Sequence, residues 1–500
     1  MIRLTVLAAK TQFEGPEEEL NKLFKSLRVK DKNSYWRARF ALKRHAYFSG
    51  YEEDERQKKI EELKEYTSYI RFYERRGDTF LTGLLDRAIR GLKKRHVEYE
   101  ILDYRRKPPK FEPIKKLRFV DKVEDRPEQV SMVNTALQKG GGIIHAATNA
   151  GKTEIACGII SEYIRQNKKI PRVLFLIHRA TLVVQTMERF KKHLPDSVCI
   201  DMVGAGKKTV HKGGILVATV QTASNILLDS NFTSFLEKTD ILFIDEFHLN
   251  KAWQCTRIVE RCQAPFRIGL SGTINRDNKA KMMHYVGMCG PIIAEIRNKE
   301  LVELGRSAKP IIKFIEVVAK KIPKSLRFAI GYSEGIVENA ERNKLVVDDT
   351  LGYLEKNYRT LVTVARINHG LILKKLLESK LDLRIEFLSG KSPIELRNKV
   401  IKEFELGKVA VLIASPIFDT GVDIPNGVDA WINAAGGSGW ELVLQRLGRV
   451  LRKNPRSGNK VYVTDFIDIH NFYLFRQSMR RLKHYTREKI GVIQIVGGKN

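Results

Sequence analysis

No stretch of the 500-residue chain approaches the ~18 uninterrupted apolar residues of a membrane-spanning helix. Membrane spanning is therefore excluded at the outset. The short apolar run from Leu4 to Ala9, stopped by Lys10, also lacks the cleavage site of a secretory signal, so a cytoplasmic protein is expected. Cysteine is scarce. The five residues Cys157, Cys199, Cys255, Cys262 and Cys289 are odd in number and contain no C-x-x-C pair, which fits neither a disulfide framework nor a zinc site. They read as small core residues in a reducing compartment. Fixed-period repeats and long low-complexity segments are lacking too. The informative shortage is of acid: 58 Asp and Glu face 89 Lys and Arg, a net charge of +31. Such an excess favours a polyanionic partner, because each phosphate neutralised releases counterions. The basic residues are dispersed and form no tail or amphipathic anchor, so nucleic acid is preferred over a membrane surface.

The length allows about three domains at roughly 150 residues each. Residues 1–113 are charged and aromatic-rich, with a helix expected from Glu52 to Arg76 on the strength of i, i+4 Glu–Lys pairs. After Pro108-Pro109 and Pro113 the pattern changes. Within 114–308, the runs Val173 to Ile177, Ile215 to Ala218, Ile241 to Ile244 and Arg267 to Leu270 read as strands of a parallel sheet buried on both faces. Within 309–500 the same pattern restarts at Leu361 to Ala365, Arg384 to Leu388, Val409 to Ile413, Ala430 to Asn433 and Val461 to Val463. An α/β fold of two tandem domains is expected, preceded by a small α+β domain. A basic helix is expected from Asn471 to Lys489.

Ala147-Thr-Asn-Ala-Gly-Lys-Thr153 lies between an apolar strand pattern and a helical one, the context of a phosphate-binding loop. Its G-x-x-x-x-G-K-[ST] pattern holds except at the first glycine, which is Ala146. Backbone N–H groups from Thr148, Asn149, Ala150 and Gly151 would cradle phosphates, Lys152 would reach the β and γ oxygens, and Thr153 would hold Mg²⁺. An ordinary helix-start turn is the competing reading. Asp245-Glu-Phe-His248 follows a buried run, where a parallel sheet places its ligands. Asp245 would hold Mg²⁺ through water, and Glu246 would activate or orient the attacking water. Alone, the pair reads equally as an acidic turn; the phosphate loop makes the catalytic reading preferable. In Gln445-Arg-Leu-Gly-Arg-Val-Leu-Arg452, three-residue spacing puts Arg449 and Arg452 on one helical face, and Gly448 has no use on a plain surface helix.

This ordered set resembles the motif series of superfamily 2 helicases and translocases from about Arg126 to Arg452. The resemblance implies two RecA-like domains with parallel sheets, with ATP in the cleft between them and Mg²⁺ as the metal. Gln129 would then read adenine, and Gly421 and Asp423 of Asp419-Thr-Gly-Val-Asp-Ile-Pro425 would approach the nucleotide. Lys152, Asp245, Glu246, Gln445, Arg449 and Arg452 would form the catalytic set, the arginines stabilising charge on the γ-phosphate. Nucleic acid would be touched by Arg179 in Ile177 to Leu182, by Thr219, Gln221 and Thr222, by Arg366 and His369, by Ser389 and Gly390, and by Ser415 and Thr420. Ser271-Gly-Thr273 resembles the motif that couples ATP site to track.

The D-E-F-H box departs from the D-E-A-D of RNA helicases and leans toward DNA-acting members, with His248 in a coupling role. Ser271-Gly-Thr-Ile-Asn-Arg276, His284-Tyr-Val-Gly287 and Phe80-Leu-Thr-Gly-Leu-Leu85 resemble the bacteriophage UvsW-type recombination helicases, in which the last element belongs to a substrate-gripping domain. The resemblance implies a monomeric ATP-dependent DNA helicase that unwinds or branch-migrates forked and four-way DNA in replication, recombination or repair, with recombination or replication proteins as partners, in the host cytoplasm if of phage origin. The alternatives are an RNA helicase, a duplex translocase subunit without strand separation, and a non-catalytic nucleic-acid-binding scaffold on a degenerate ATPase fold, against which the intact Lys152, Asp245, Glu246, Arg449 and Arg452 count. The interleaved Trp36, Arg37, Arg39, Phe40, Lys43, Arg44 and His45 read either as a gripping surface or as core aromatics beside solvated charges.

Overall fold

Runs of Val, Ile, Leu and Phe with no polar alternation can hide both faces only inside a covered parallel sheet. A computed structural model of the protein describes residues 1–30, 69–75, 77–124, 126–204, 207–208, 213–247, 252–416, 424 and 426–497. In the first α/β region, Val173–Ile177, Ile215–Thr219, Ile241–Asp245 and Phe266–Ser271 are strands, buried throughout except at Asp245. They belong to an eight-stranded sheet ordered Lys207–Lys208, Ile200–Gly204, Ile215–Thr219, Val173–Ile177, Ile241–Asp245, Phe266–Ser271, Gly141–Ala146, Ile292–Ile296. Seven strands run parallel and the short Lys207–Lys208 turns back antiparallel.

The second α/β region repeats the plan. Its seven-stranded sheet is ordered Ile385–Leu388, Val411–Ala414, Thr360–Thr363, Ala430–Asn433, Lys460–Ile467, Lys309–Glu316, Val492–Val496, and its pairings are parallel. Trp431 is fully buried here, its indole N–H donating to Thr363 Oγ1 at 3.0 Å, which satisfies the one polar atom of a large core side chain. The edge strand Val492–Val496 follows the C-terminal helix Phe472–Glu488 and was not among the expected strands.

Ahead of both regions, alternation at period two buries Ile2, Leu4 and Val6 while Arg3 and Thr5 face outward. This strand lies between Lys10–Glu14, to which it is antiparallel, and the edge strand Tyr99–Asp103, to which it is parallel, in a five-stranded mixed sheet. Helices Glu17–Ser26 and Leu85–Lys94 bury Leu23, Phe24, Leu85, Ala88 and Leu92 against it. The expected fold, tandem RecA-like sheets after a small α+β region, is present.

The helix expected from Glu52 to Arg76 requires correction at its end; residues 52–68 lie outside the described residues. Tyr69–Arg71 and Tyr73–Glu74 are strands, the former paired antiparallel with Arg28–Lys30. Aromatic packing outweighs the charge spacing here: the Tyr73 ring stacks on Phe24 at 4.1 Å between centroids. The Trp36 to His45 cluster also lies outside the described residues.

The chain divides into two compact units, Met1–His145 with Thr153–Glu295, and Ala146–Lys152 with Ile296–Asn500. The segment Ala146–Lys152 thus groups with the second unit. Among the described residues no helix is long and apolar enough to cross a membrane.

Candidate active site

Because the strands of the first sheet run parallel, their carboxyl ends bring Ile177, Thr219, Asp245 and Ser271 to one edge. Asp245 closes its strand and Glu246 follows with φ of 45°, a left-handed conformation costly for a side chain with a Cβ. This turn aims Glu246 along the sheet edge, where its Oε2 accepts the amide N–H of Gly272 at 3.3 Å. Ser271 and Thr273 lock the same turn: Ser271 Oγ donates to the Thr273 carbonyl at 2.9 Å and accepts its N–H at 3.2 Å. The carbonyl of Gly272 faces His145, whose Nδ1 lies 3.0 Å from Glu295 Oε1; Arg276 donates to the other oxygen of Glu295 at 2.5 Å. Burial, with the Arg276 charge, lowers the His145 pKa despite Glu295, so a neutral imidazole is favoured. His145 and Glu295 escaped the sequence reading; a lone polar residue in the run Gly142-Ile-Ile-His-Ala146 was the available signal.

Helix Pro127–Lys139 starts with proline at its first position and carries Gln129 fully buried. Helix Ala180–His193 begins after Arg179, whose Nε donates to His178 Nε2 at 2.8 Å. Thr219 caps helix Val220–Asn225: its Oγ1 accepts the Thr222 N–H at 3.2 Å and donates to Thr222 Oγ1 at 2.8 Å. Gln221, between them, is exposed. Thr153 lies in the first turn of helix Lys152–Asn167.

In the second unit, Asn149 and Gly151 take positive φ of 76° and 80°. Left-handed residues in such a loop turn successive amides toward one concavity, a cradle suited to phosphate oxygens. Asn149 Nδ2 donates to the carbonyl of Gly448 at 3.0 Å and to Ser307 Oγ at 3.4 Å. Gly448 faces the loop so closely that a Cβ built on it would stand 2.6 Å from Thr148 Cβ. That explains a glycine inside helix Trp440–Val450. Gln445 and Arg449 share a face of this helix at i, i+4. Arg452 does not join them, contrary to the expected single helical face: the helix ends at Val450, and Arg452 pairs antiparallel with Ser307 in a single bridge. Three-residue spacing shares a face only within a helix, and this one stops two residues short of Arg452.

His369 is corrected as well. It is fully buried, with Nε2 2.9 Å from Asn343 Oδ1, and burial lowers its pKa to about 3. It is a core residue out of reach of a phosphate backbone. Arg366, by contrast, holds its guanidinium 4.9 Å above the Tyr332 ring and donates to the Ala329 carbonyl. Ser389, Gly390 and Ser392 form a turn in which the Ser389 N–H donates to Ser392 Oγ at 3.0 Å. Ser415 is buried, its N–H donating to the Leu388 carbonyl at 3.0 Å. Thr420, Gly421, Asp423 and His248 lie outside the described residues.

Two buried arginines unforeseen in the sequence hold the segment leading into helix Trp440–Val450. Arg342 donates to Asp468 Oδ1 at 2.8 Å and to the Ala434 carbonyl at 2.9 Å. Arg481 grips both oxygens of Asp465 at 3.0 and 3.1 Å and donates to the Gly437 carbonyl at 2.7 Å.

Residues 122–276 match the family model described as "Type III restriction enzyme, res subunit", and residues 343–454 match "Helicase conserved C-terminal domain". The chain belongs to the superfamily 2 helicases, and that membership implies ATP use, usually with Mg²⁺. It is similar to the ATP-dependent DNA helicase UvsW of Enterobacteria phage T4, 26% identical over 381 residues that cover 70% of this chain and 73% of that one. It is also similar to the DNA 3'-5' translocase XPB2 of Sulfurisphaera tokodaii, 26% identical over 374 residues, 67% of this chain and 80% of that one. Among solved structures, an HsdR-subunit fragment of a type I restriction enzyme from Vibrio vulnificus aligns with a TM-score of 0.55 at 17% identity, covering 74% of this chain and 68% of that one. Yeast Dbp5 bound to RNA and ADP BeF3 aligns with a TM-score of 0.53 at 17% identity, covering 74% and 89%. At such identities these two structures speak for the fold.

Proposed function

We propose that the chain is an ATP- and Mg²⁺-dependent DNA helicase or translocase that unwinds or branch-migrates forked and four-way DNA. The observation that carries this reading is the Glu246–Gly272 hydrogen bond, which joins the carboxylate beside Asp245 to the Ser271–Thr273 turn. A carboxylate that orients the attacking water and also holds a turn on the nucleic-acid side gives hydrolysis a mechanical output. The DNA preference rests on the D-E-F-H box and on the two relatives named for DNA.

In this reading Gln129, with Gly421 and Asp423, selects the nucleotide. The amides of Thr148 to Gly151 and the Lys152 ammonium neutralise its phosphate oxygens. Thr153 and Asp245 would hold Mg²⁺, which would supply further neutralisation of the nucleotide's negative charge. Among the described residues no three His, Cys, Asp or Glu side chains converge on a common metal position. One hydroxyl, one carboxylate, water and phosphate oxygens are a usual set for Mg²⁺, so the residues present fit the ion. Glu246 orients the water for in-line attack, Gln445 positions it, and Arg449 and Arg452 stabilise charge on the γ-phosphoryl oxygens. Arginines in that role contribute on the order of 10³ to 10⁵ in rate.

The track is gripped through its phosphates by Arg179, the Thr219–Thr222 cap, Gln221, Arg366, the Ser389–Gly390 turn, Ser415 and Thr420, so little sequence preference is expected. Residues 1–113 serve as substrate-gripping domain, 114–308 as the ATP-binding motor domain and 309–500 as its C-terminal counterpart. The protein works as a monomer in the cytoplasm, beside replication or recombination proteins. The test is ATP turnover with matched DNA and RNA forks. Stimulation by DNA is the expected result; stimulation by RNA alone replaces this reading with an RNA helicase.

A further inference from the structure

Within the first unit, a cavity of about 520 Å³ lies at the amino ends of the strands Gly141–Ala146 and Phe266–Ser271, at the edge opposite Asp245 and Ser271, where the N-terminal region meets the first sheet. Five cations line it, Arg105, Arg106, Lys107, Lys139 and Arg267, against two carboxylates, Asp86 and Asp103. One carboxylate is already engaged: Arg105 holds both oxygens of Asp103, at 2.6 and 2.8 Å. Arg106 is also committed, donating to the Gln263 carbonyl at 2.9 Å and standing 3.6 Å from Asp240.

Arg267 is different. Only 8% exposed, it donates Nε to the Ala264 carbonyl at 3.1 Å and Nη2 to the Cys262 carbonyl at 2.6 Å. Among the described residues no carboxylate pairs with it, and burial and the Arg105 charge both press its pKa down. A guanidinium held inside the protein without a counter-ion is expensive, and two neutral carbonyls do not replace the charge it has lost from water. Lys107 and Lys139, both exposed at the cavity mouth, form no ion pair among the described residues. With Asp86 as the remaining carboxylate, beside Arg105, the cavity keeps a net positive charge, and its volume lies in the range of small-ligand sites.

We propose that this cavity binds phosphate groups, seated on Arg267 and closed over by Lys107 and Lys139, at a site separate from the phosphate loop. The phosphate comes from a free polyphosphate or from a nucleic-acid backbone. The test is calorimetric titration of pyrophosphate into the full-length Lys152→Ala protein, in which the phosphate loop is disabled. One saturable site is expected, weakened by about tenfold in a Lys107→Ala/Lys139→Ala background, where the exposed side chains leave the fold undisturbed. Arg267→Gln, checked for folding by circular dichroism, removes the site. Absence of pyrophosphate binding in Lys152→Ala, or binding unchanged by the two lysine substitutions, overturns the proposal. A short 5′-phosphorylated oligonucleotide separates the sources. Displacement of pyrophosphate that depends on Lys107 and Lys139 assigns the site to a nucleic-acid backbone, and its failure to displace assigns it to a free polyphosphate.

Discussion

The amide N–H of Gly272 donates to Oε2 of Glu246 at 3.3 Å, tying the turn after one strand to the carboxylate after its neighbour. Glu246→Gln keeps an oxygen acceptor for that amide and removes the negative charge. ATP turnover is expected to fall by roughly 10² to 10⁴, the usual contribution of a positioned general base. Nucleotide affinity should stay near that of the parent. Phosphate release and equilibrium nucleotide binding check the two halves; normal turnover would contradict the role given to Glu246.

Gly448 is a packing requirement of the loop that carries Thr148. An added Cβ at 2.6 Å from Thr148 Cβ forces the loop to move, at a cost of about 1–3 kcal/mol for overpacking. The ~1 kcal/mol gain in helix propensity from Gly448→Ala only partly offsets this. Turnover should drop in Gly448→Ala with far-ultraviolet dichroism unchanged. Thr148→Gly in the same chain should restore part of it by removing the opposing Cβ.

Arg342 is fully buried and Asp468 nearly so. Arg342→Ala leaves the Asp468 carboxylate inside the protein with its main partner gone, and breaking such a pair costs about 3–5 kcal/mol. A fall of several degrees in the melting of the second unit is expected by calorimetry. Lys380→Ala, which removes only an exposed 3.6 Å ion pair with Asp348, should shift it little.

His369 gives the second unit an acid-sensitive core. Its folded pKa is lowered to about 3 by burial and the nearby Arg342 charge, while an unfolded histidine titrates near 6.5. Between these values the unfolded chain binds a proton that the folded chain refuses. Stability is therefore fully present above about pH 6.5 and is lost as pH falls, with a slope approaching ~1.4 kcal/mol per pH unit from this group. Denaturant unfolding at pH 7 and pH 5 should show His369→Gln losing about one proton's worth of that dependence.

Legibility followed the range of the interactions. Continuous apolar runs gave the strands of both sheets, because burial on two faces leaves a mark in every residue. Long-range packing left none. Phe80 to Leu85 and His284 to Gly287 are separate stretches in the sequence. In the fold they meet: a Cβ on Gly83 would stand 2.0 Å from the Val286 carbonyl oxygen and 2.7 Å from that of Gly287. No periodicity announces a contact between segments so distant in sequence. Arg342 and Arg481 read as two more cations in a basic chain, yet both are fully buried, because Asp468 and Asp465 await them in the core. A regular pattern misleads beyond the end of its element. The helix carrying Arg449 ends before Arg452, and the i, i+4 charges after Glu52 run on into residues whose aromatic rings build strands.

Strand separation on a labelled four-way DNA junction, with a matched structured RNA as competitor and with or without ATP and Mg²⁺, tests the central claim most directly. The account predicts ATP-dependent resolution of the junction into forked products, abolished by Lys152→Ala. DNA-stimulated ATP turnover with the junction left intact would contradict it and point to a duplex translocase that needs a partner.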